Sequence, residues 1–160
     1  MQDAVQLVGA LDPRSGWEAR RCSLAKALDV LGTRTSFLLM REAFYGTTRF
    51  DDFVTRIGAS EPVTAARLRE LVEADLLERE PYREPGQRTR QQYRLTEKGQ
   101  DLLPAMVALM RWADRWEADD GGPVRFRHRD CGAVVGTQLR CEHGHEIGRG
   151  ELELIRTQEL

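Results

Sequence analysis

Cysteine is scarce in this 160-residue chain: Cys22, Cys131 and Cys141 are the only three. A small odd number does not suit a disulfide-stapled secreted scaffold and fits a reducing cytosol. Long hydrophobic runs are missing as well, the apolar stretches being a few residues each, which excludes a membrane-spanning helix. Residues 1–21, MQDAVQLVGALDPRSGWEARR, have no basic start and carry Asp3, so no signal peptide is expected. Internal repeats and low-complexity tracts are absent. So are a Gly-rich phosphate loop, a Ser/His/Asp set and paired carboxylates, and the sequence does not read as an enzyme.

A hydrophobic share of 41% against 31% charged is a globular balance, long enough for one domain or one with a small appendix. The net charge of −2 says little about partners, but its distribution says more. Between 83 and 98 stand Arg83, Arg88, Arg90, Arg94 and Lys98 against only Glu84 and Glu97.

Periodicity supplies the elements. DAVQLVGAL places Ala4, Leu7, Val8 and Leu11 on one helical face, with Asp3 as N-cap and Pro13 as stop. CSLAKALDVLG does the same with Leu24, Ala27, Leu28 and Leu31, closed by Gly32. TSFLLMREAFYG predicts a third helix, and RFDDFVTRIG a fourth that buries Phe50, Phe53, Val54 and Ile57. In SEPVTAARLRELVEADLLERE, Ser60 caps and Pro62 sits in the first turn, where its missing N–H costs nothing. Thr64, Leu68, Leu71 and Val72 face inward, and Pro62, Val63, Ala66, Arg67 and Arg69 face outward. LLEREPY and QQYRL read as two strands joined by the hairpin loop REPGQRTR. TEKGQDLLPAMVALMRWADRW is a last long helix that Pro104 should kink.

Helices followed by a two-stranded ribbon tipped with arginines make a winged helix-turn-helix: an α+β, mainly helical fold. A recognition helix over 60–73 fits the DNA major groove, about 12 Å wide. Ser60, Pro62, Val63, Ala66, Arg67 and Arg69 are its candidate contacts. Arg83, Arg88 and Arg90 on a wing over 82–92 suit phosphates and the minor groove. Any single arginine is more commonly a solvated surface charge; the co-located set points to double-stranded DNA. Leu102, Met106, Leu109, Ala113 and Trp116 repeat at spacings 4-3-4-3, the seam of a helix that packs on a second copy.

From Cys22 to about Trp116 the chain resembles the HxlR-type winged-helix regulators of bacteria, relatives of the MarR group. CSLAKALDVLG, LLMREAFYGTTRFDDF, ARLRELVEADLLERE and YRLTEKGQDLLP carry the resemblance. It implies a dimeric DNA-binding regulator of transcription that works in the cytoplasm, on the nucleoid. Thr35 stands where the family usually has Trp, and Thr64-Ala65 where it often has Leu-Ser. Some members sense oxidants or electrophiles through a cysteine at the position of Cys22. Here Arg20, Arg21 and a helix start would favour its thiolate; a small half-buried residue without chemistry is the plain alternative. A small-molecule effector is the other regulatory input the resemblance allows.

The tail, 122–156, is set apart from the 22–118 domain by the linker ADDGG, and 1–21 forms an N-terminal helical extension. All three histidines, His128, His143 and His145, lie in the tail with Cys131 and Cys141. VRFRHRDCGAVV and QLRCEHGHEI read as two short ribbons with ligands at their turns, and ELELI as a third strand. His128, Cys131, Cys141 and His145, with His143 as a rival, are the set a closed structural zinc site uses. A module of about 35 residues also needs such a staple, because its own core is too small. A Cys131–Cys141 redox pair and an unstructured tail compete with that reading. A winged helix with a zinc ribbon also occurs in basal initiation factors that contact polymerase, the alternative to an operator-binding regulator.

Overall fold

The computed structural model describes residues 4–11 and 22–156. Its helices are α1 (Ser23–Leu31), α2 (Arg34–Phe44), α3 (Phe50–Ile57), α4 (Glu61–Glu73), α5 (Glu97–Gln100) and α6 (Leu103–Trp116). Its strands are β1 (Val5–Leu7), β2 (Leu77–Tyr82), β3 (Arg90–Leu95) and β4 (Leu152–Leu154). The winged helix is the body: α2, α3 and α4 pack together, and the β2–β3 hairpin closes one side.

Local chemistry starts and stops these elements where the chain needs to turn. Thr33 caps α2, its hydroxyl accepting the Ser36 N–H at 3.1 Å. α4 ends in a Schellman turn: the Leu76 N–H reaches the Leu71 carbonyl at 2.9 Å, and that of Asp75 reaches Val72 at 3.0 Å. Asp75 takes the left-handed conformation there, at φ 58, which a short polar side chain tolerates better than most. Thr96 secures the same corner, donating to the Asp75 carbonyl at 2.6 Å while accepting from the Gly99 N–H at 3.0 Å.

Packing follows the pattern. Leu39, Met40, Phe53 and Leu68 are wholly buried, joined by Leu71, Leu77 and Met106. Phe53 meets Tyr93 edge-on, with centroids 6.0 Å apart. The strands pair antiparallel from Leu77↔Leu95 to Tyr82↔Arg90, which places the loop between them at the far end of the hairpin.

Four expectations need correction. Val5–Leu7 is a strand, paired in parallel with Leu152–Leu154, and Gly9–Leu11 is a single 3-10 turn. The helical extension expected over 1–21 is therefore absent from 4–11, while Asp3, Pro13, Arg20 and Arg21 lie outside the described residues. The strand in ELELI exists, but it joins the N-terminal segment rather than the ribbons. The last helix is interrupted between α5 and α6, and Pro104 lies in the first turn of α6. A proline there costs no hydrogen bond, so the chain restarts instead of kinking.

The fourth concerns the seam. Met106 is buried in the chain's own core, and Leu102 packs against that core. The apolar stripe left open on α6 keeps Leu109 and Trp116 of that repeat and adds Trp112; the three are 51%, 60% and 53% exposed. The remaining column, with Val107 and Met110, lines a crevice against Phe126 and Val135 of the tail. α1 also has an open face: Leu24 and Leu28 are 66% and 50% exposed, and only Leu31 is buried.

Candidate nucleic-acid interface

α3, the turn at Gly58 and α4 form the helix-turn-helix. Gly58 ends α3 in the left-handed conformation, its N–H bonded to the Val54 carbonyl at 3.1 Å. Ser60 precedes α4 at the N-cap position but makes no side-chain cap bond, which leaves its hydroxyl outside the helix hydrogen-bond pattern. Thr64, Leu68 and Leu71 hold α4 to the core, as expected. The Thr64 hydroxyl is buried without a partner among the described residues. Pro62, Val63 and Arg69 are exposed, and Ala66 and Arg67 are half-buried.

These residues are not equally free to act. Arg67 forms an ion pair with Glu70, one turn along. Arg69 makes no ion pair among the described residues. On the wing, Arg83 donates its Nε–H to the Gln87 carbonyl at 3.1 Å and so shapes the loop. Arg94 at the root pairs with Glu80. Arg88 and Arg90 are exposed and carry no ion pair among the described residues. The hairpin therefore neutralises its root and leaves positive charge at its tip.

Arg49, which sequence patterning did not single out, holds the wing in place. It stands at the N-cap of α3, pairs with Glu84 and lies 5.1 Å from the Tyr82 ring centre. The hydrogen bond and charge of Glu84 raise its pKa above the ordinary arginine value. No local signal reveals such a pair, since its members are 35 residues apart. Glu42 is a second case. It is buried, pairs with Arg41 at 2.7 Å and accepts from the Thr47 hydroxyl at 3.3 Å, so the turn into α3 is braced from inside.

The sequence model of the HxlR-like helix-turn-helix family matches residues 30–120. The chain belongs to that family. The HTH-type transcriptional regulator Rv3095 of Mycobacterium tuberculosis is 41% identical over 127 residues, 78% of this chain and 79% of its own. The crystal structure of PA1607, described as a candidate transcription factor, superposes with a TM-score of 0.76 at 36% identity. That match covers 86% of this chain and 96% of the other, more than residues 22–118 can supply, so it takes in part of the tail. The redox regulator HypR, in its oxidised form, matches at a TM-score of 0.53 and 26% identity, over 59% of this chain and 96% of its own. This member of the HxlR-like family is thus a transcriptional regulator with a helix-turn-helix DNA-binding fold. No described helix is long and apolar enough to cross a membrane.

The remaining candidate residues lie elsewhere. Cys22 is half-buried at the N-cap of α1. His128 and Cys131 are brought together, Nδ1 to Sγ at 3.2 Å. Cys141 and His145 sit on a separate hairpin, and no three His, Cys, Asp or Glu side chains converge among the described residues.

Proposed function

We propose that this regulator binds a two-fold symmetric operator as a homodimer, through α4 in the major groove and the wing beside it. The observation that carries the reading is the division of charge on the hairpin. Its root arginine pairs with an acid, while Arg88 and Arg90 at the tip remain available for phosphate. On α4, small or flat residues at Pro62 and Ala66 allow close approach, with Arg69 beside them. The open stripe of α6 and the open face of α1 support self-association, since isolated exposed leucines are ordinary but two apolar helix faces left open on so small a domain are not. Family membership favours this reading over a basal-factor module that contacts polymerase.

Regulation through Cys22 fits the same scaffold. Its thiol stands at a helix N-terminus and is half-buried, within reach of a small oxidant. Among similar proteins, HypR is itself a redox regulator.

The test is selection of genomic fragments by the purified protein. The reading expects enrichment of a palindrome whose half-sites lie about one helical turn, roughly 34 Å, apart. Enrichment without symmetry, or none over random DNA, contradicts it.

A further inference from the structure

The tail is regular in shape but has no interior. Between 122 and 156 none of the described residues is buried, and Val124, Val134 and Leu139 are 49%, 57% and 61% exposed. Ordering a residue costs roughly 1–2 kcal/mol of backbone entropy, which burial normally offsets. Burial on this scale cannot do so, and a different kind of link is needed.

The backbone shows where the link would act. Residues 126–135 form one hairpin: the His128 N–H bonds to the Ala133 carbonyl at 2.8 Å, and that of Gly132 returns to His128 at 2.9 Å. Residues 139–147 form a second, with Cys141 N–H to His145 carbonyl at 3.1 Å and Gly144 N–H to Cys141 carbonyl at 2.8 Å. Each turns on a glycine with positive φ, 71 at Gly132 and 82 at Gly144, a conformation other residues rarely adopt. Among the described residues no backbone hydrogen bond joins one hairpin to the other.

The soft ligands occupy the turn of each hairpin. His128 Nδ1 and Cys131 Sγ, 3.2 Å apart, already lie near the spacing of two ligands on one tetrahedral zinc. Bond lengths of about 2.3 Å to sulfur and 2.0–2.1 Å to nitrogen put that edge at about 3.5 Å. In the second hairpin Arg140 and Glu146 pair directly, so the next residues inward, Cys141 and His145, face each other across the strands. Directly opposed residues project to the same side of a hairpin. His143 lies at the tip, its ring 6.3 Å from that of His145.

We infer that the two hairpins clamp one structural zinc ion, through His128 and Cys131 from the first and Cys141 and His145 from the second. Binding takes a hydrated Zn²⁺, releases its waters and one proton from each thiol, and leaves a neutral site of two thiolates and two imidazoles. It draws together the two pairs of ligands that the hairpins present separately, and it fixes the wall that Phe126 and Val135 form against α6. The inference is independent of the DNA-binding reading.

Elemental analysis of the full chain, purified with reductant and without chelator, should find one zinc per chain. Chelation should then speed amide exchange across 124–150 while α2, α3 and α4 keep their protection. C131S and C141S should each lose the metal, and cobalt substitution should give a thiolate charge-transfer band that either change weakens. H145A should lose zinc and H143A keep it; the reverse overturns the assignment of the fourth ligand. Less than a tenth of a zinc per chain with a protected tail overturns the site. So does a tail that ignores chelator but unfolds on reduction, the signature of a Cys131–Cys141 disulfide.

Discussion

The backbone N–H of Tyr93 donates to the Thr48 carbonyl at 2.8 Å, so the segment leading into α3 runs hydrogen-bonded beside wing strand β3. Arg49, the next residue, reaches from there to Glu84 at the opposite end of the hairpin. One short stretch, 48–49, therefore sets the wing against the helix-turn-helix twice, by main chain and by charge.

E84A should loosen the loop without unfolding the protein. Both partners are well exposed, and exposed pairs add little to global stability. Amide exchange over 83–89 should accelerate while the melting temperature stays unchanged. The raised pKa of Arg49 keeps its guanidinium protonated, so this effect should be constant across neutral pH. A loop whose exchange is unaffected by E84A is held by something else.

G99A should destabilise the whole winged helix. A Cβ built at Gly99 meets the Leu76 carbonyl oxygen at 2.1 Å and the Leu95 side chain at 3.2 Å. The first contact is backbone and cannot rotate away, so β2 and α5 must separate. Overpacking of this kind costs about 1–3 kcal/mol. Urea unfolding at parental stability contradicts this view of the corner.

The columns of α6 should separate by substitution. M106A opens a cavity in the protomer core and should cost about 2–5 kcal/mol without changing association. L109E, on the open stripe, should leave a folded monomer by light scattering. A dimeric L109E removes α6 from the interface.

These columns also mark how far the sequence could be read. α2, α3, α4 and the hairpin lie where periodicity and turn residues place them, because their apolar faces meet one another locally. Three features escaped for a common reason. Residues 4–11 fit a helical spacing, yet Val5–Leu7 forms a strand because its partner, 152–154, is far along the chain. The 4-3-4-3 repeat identifies α6 as apolar on several sides but does not say which side meets its own core. Arg49 and Glu84 are ordinary surface charges until the hairpin folds back. For the candidate interface, residue types were legible and their pairing was not. Arg67 looked as free as Arg69, and only the structure shows Glu70 engaging it.

Cys22 should be the thiol through which oxidants act on DNA binding. Diamide should release the parent protein from its operator, and C22S should remain bound at the same dose. If C22S is released like the parent, the tail thiols are responsible and Cys22 is not the sensor. Alkylation mapped by mass spectrometry should also rank Cys22 ahead of Cys131 and Cys141 when zinc is bound.

The most direct test of the DNA-binding account is the salt dependence of affinity for the parent and for the R88A/R90A double variant. The logarithm of the binding constant should fall linearly with that of salt concentration. The variant's slope should be shallower by about one unit for each phosphate it no longer neutralises. Its affinity should drop on every duplex alike, because these arginines read charge rather than sequence. A variant with the parent's slope and affinity contradicts the account and takes the wing out of the interface.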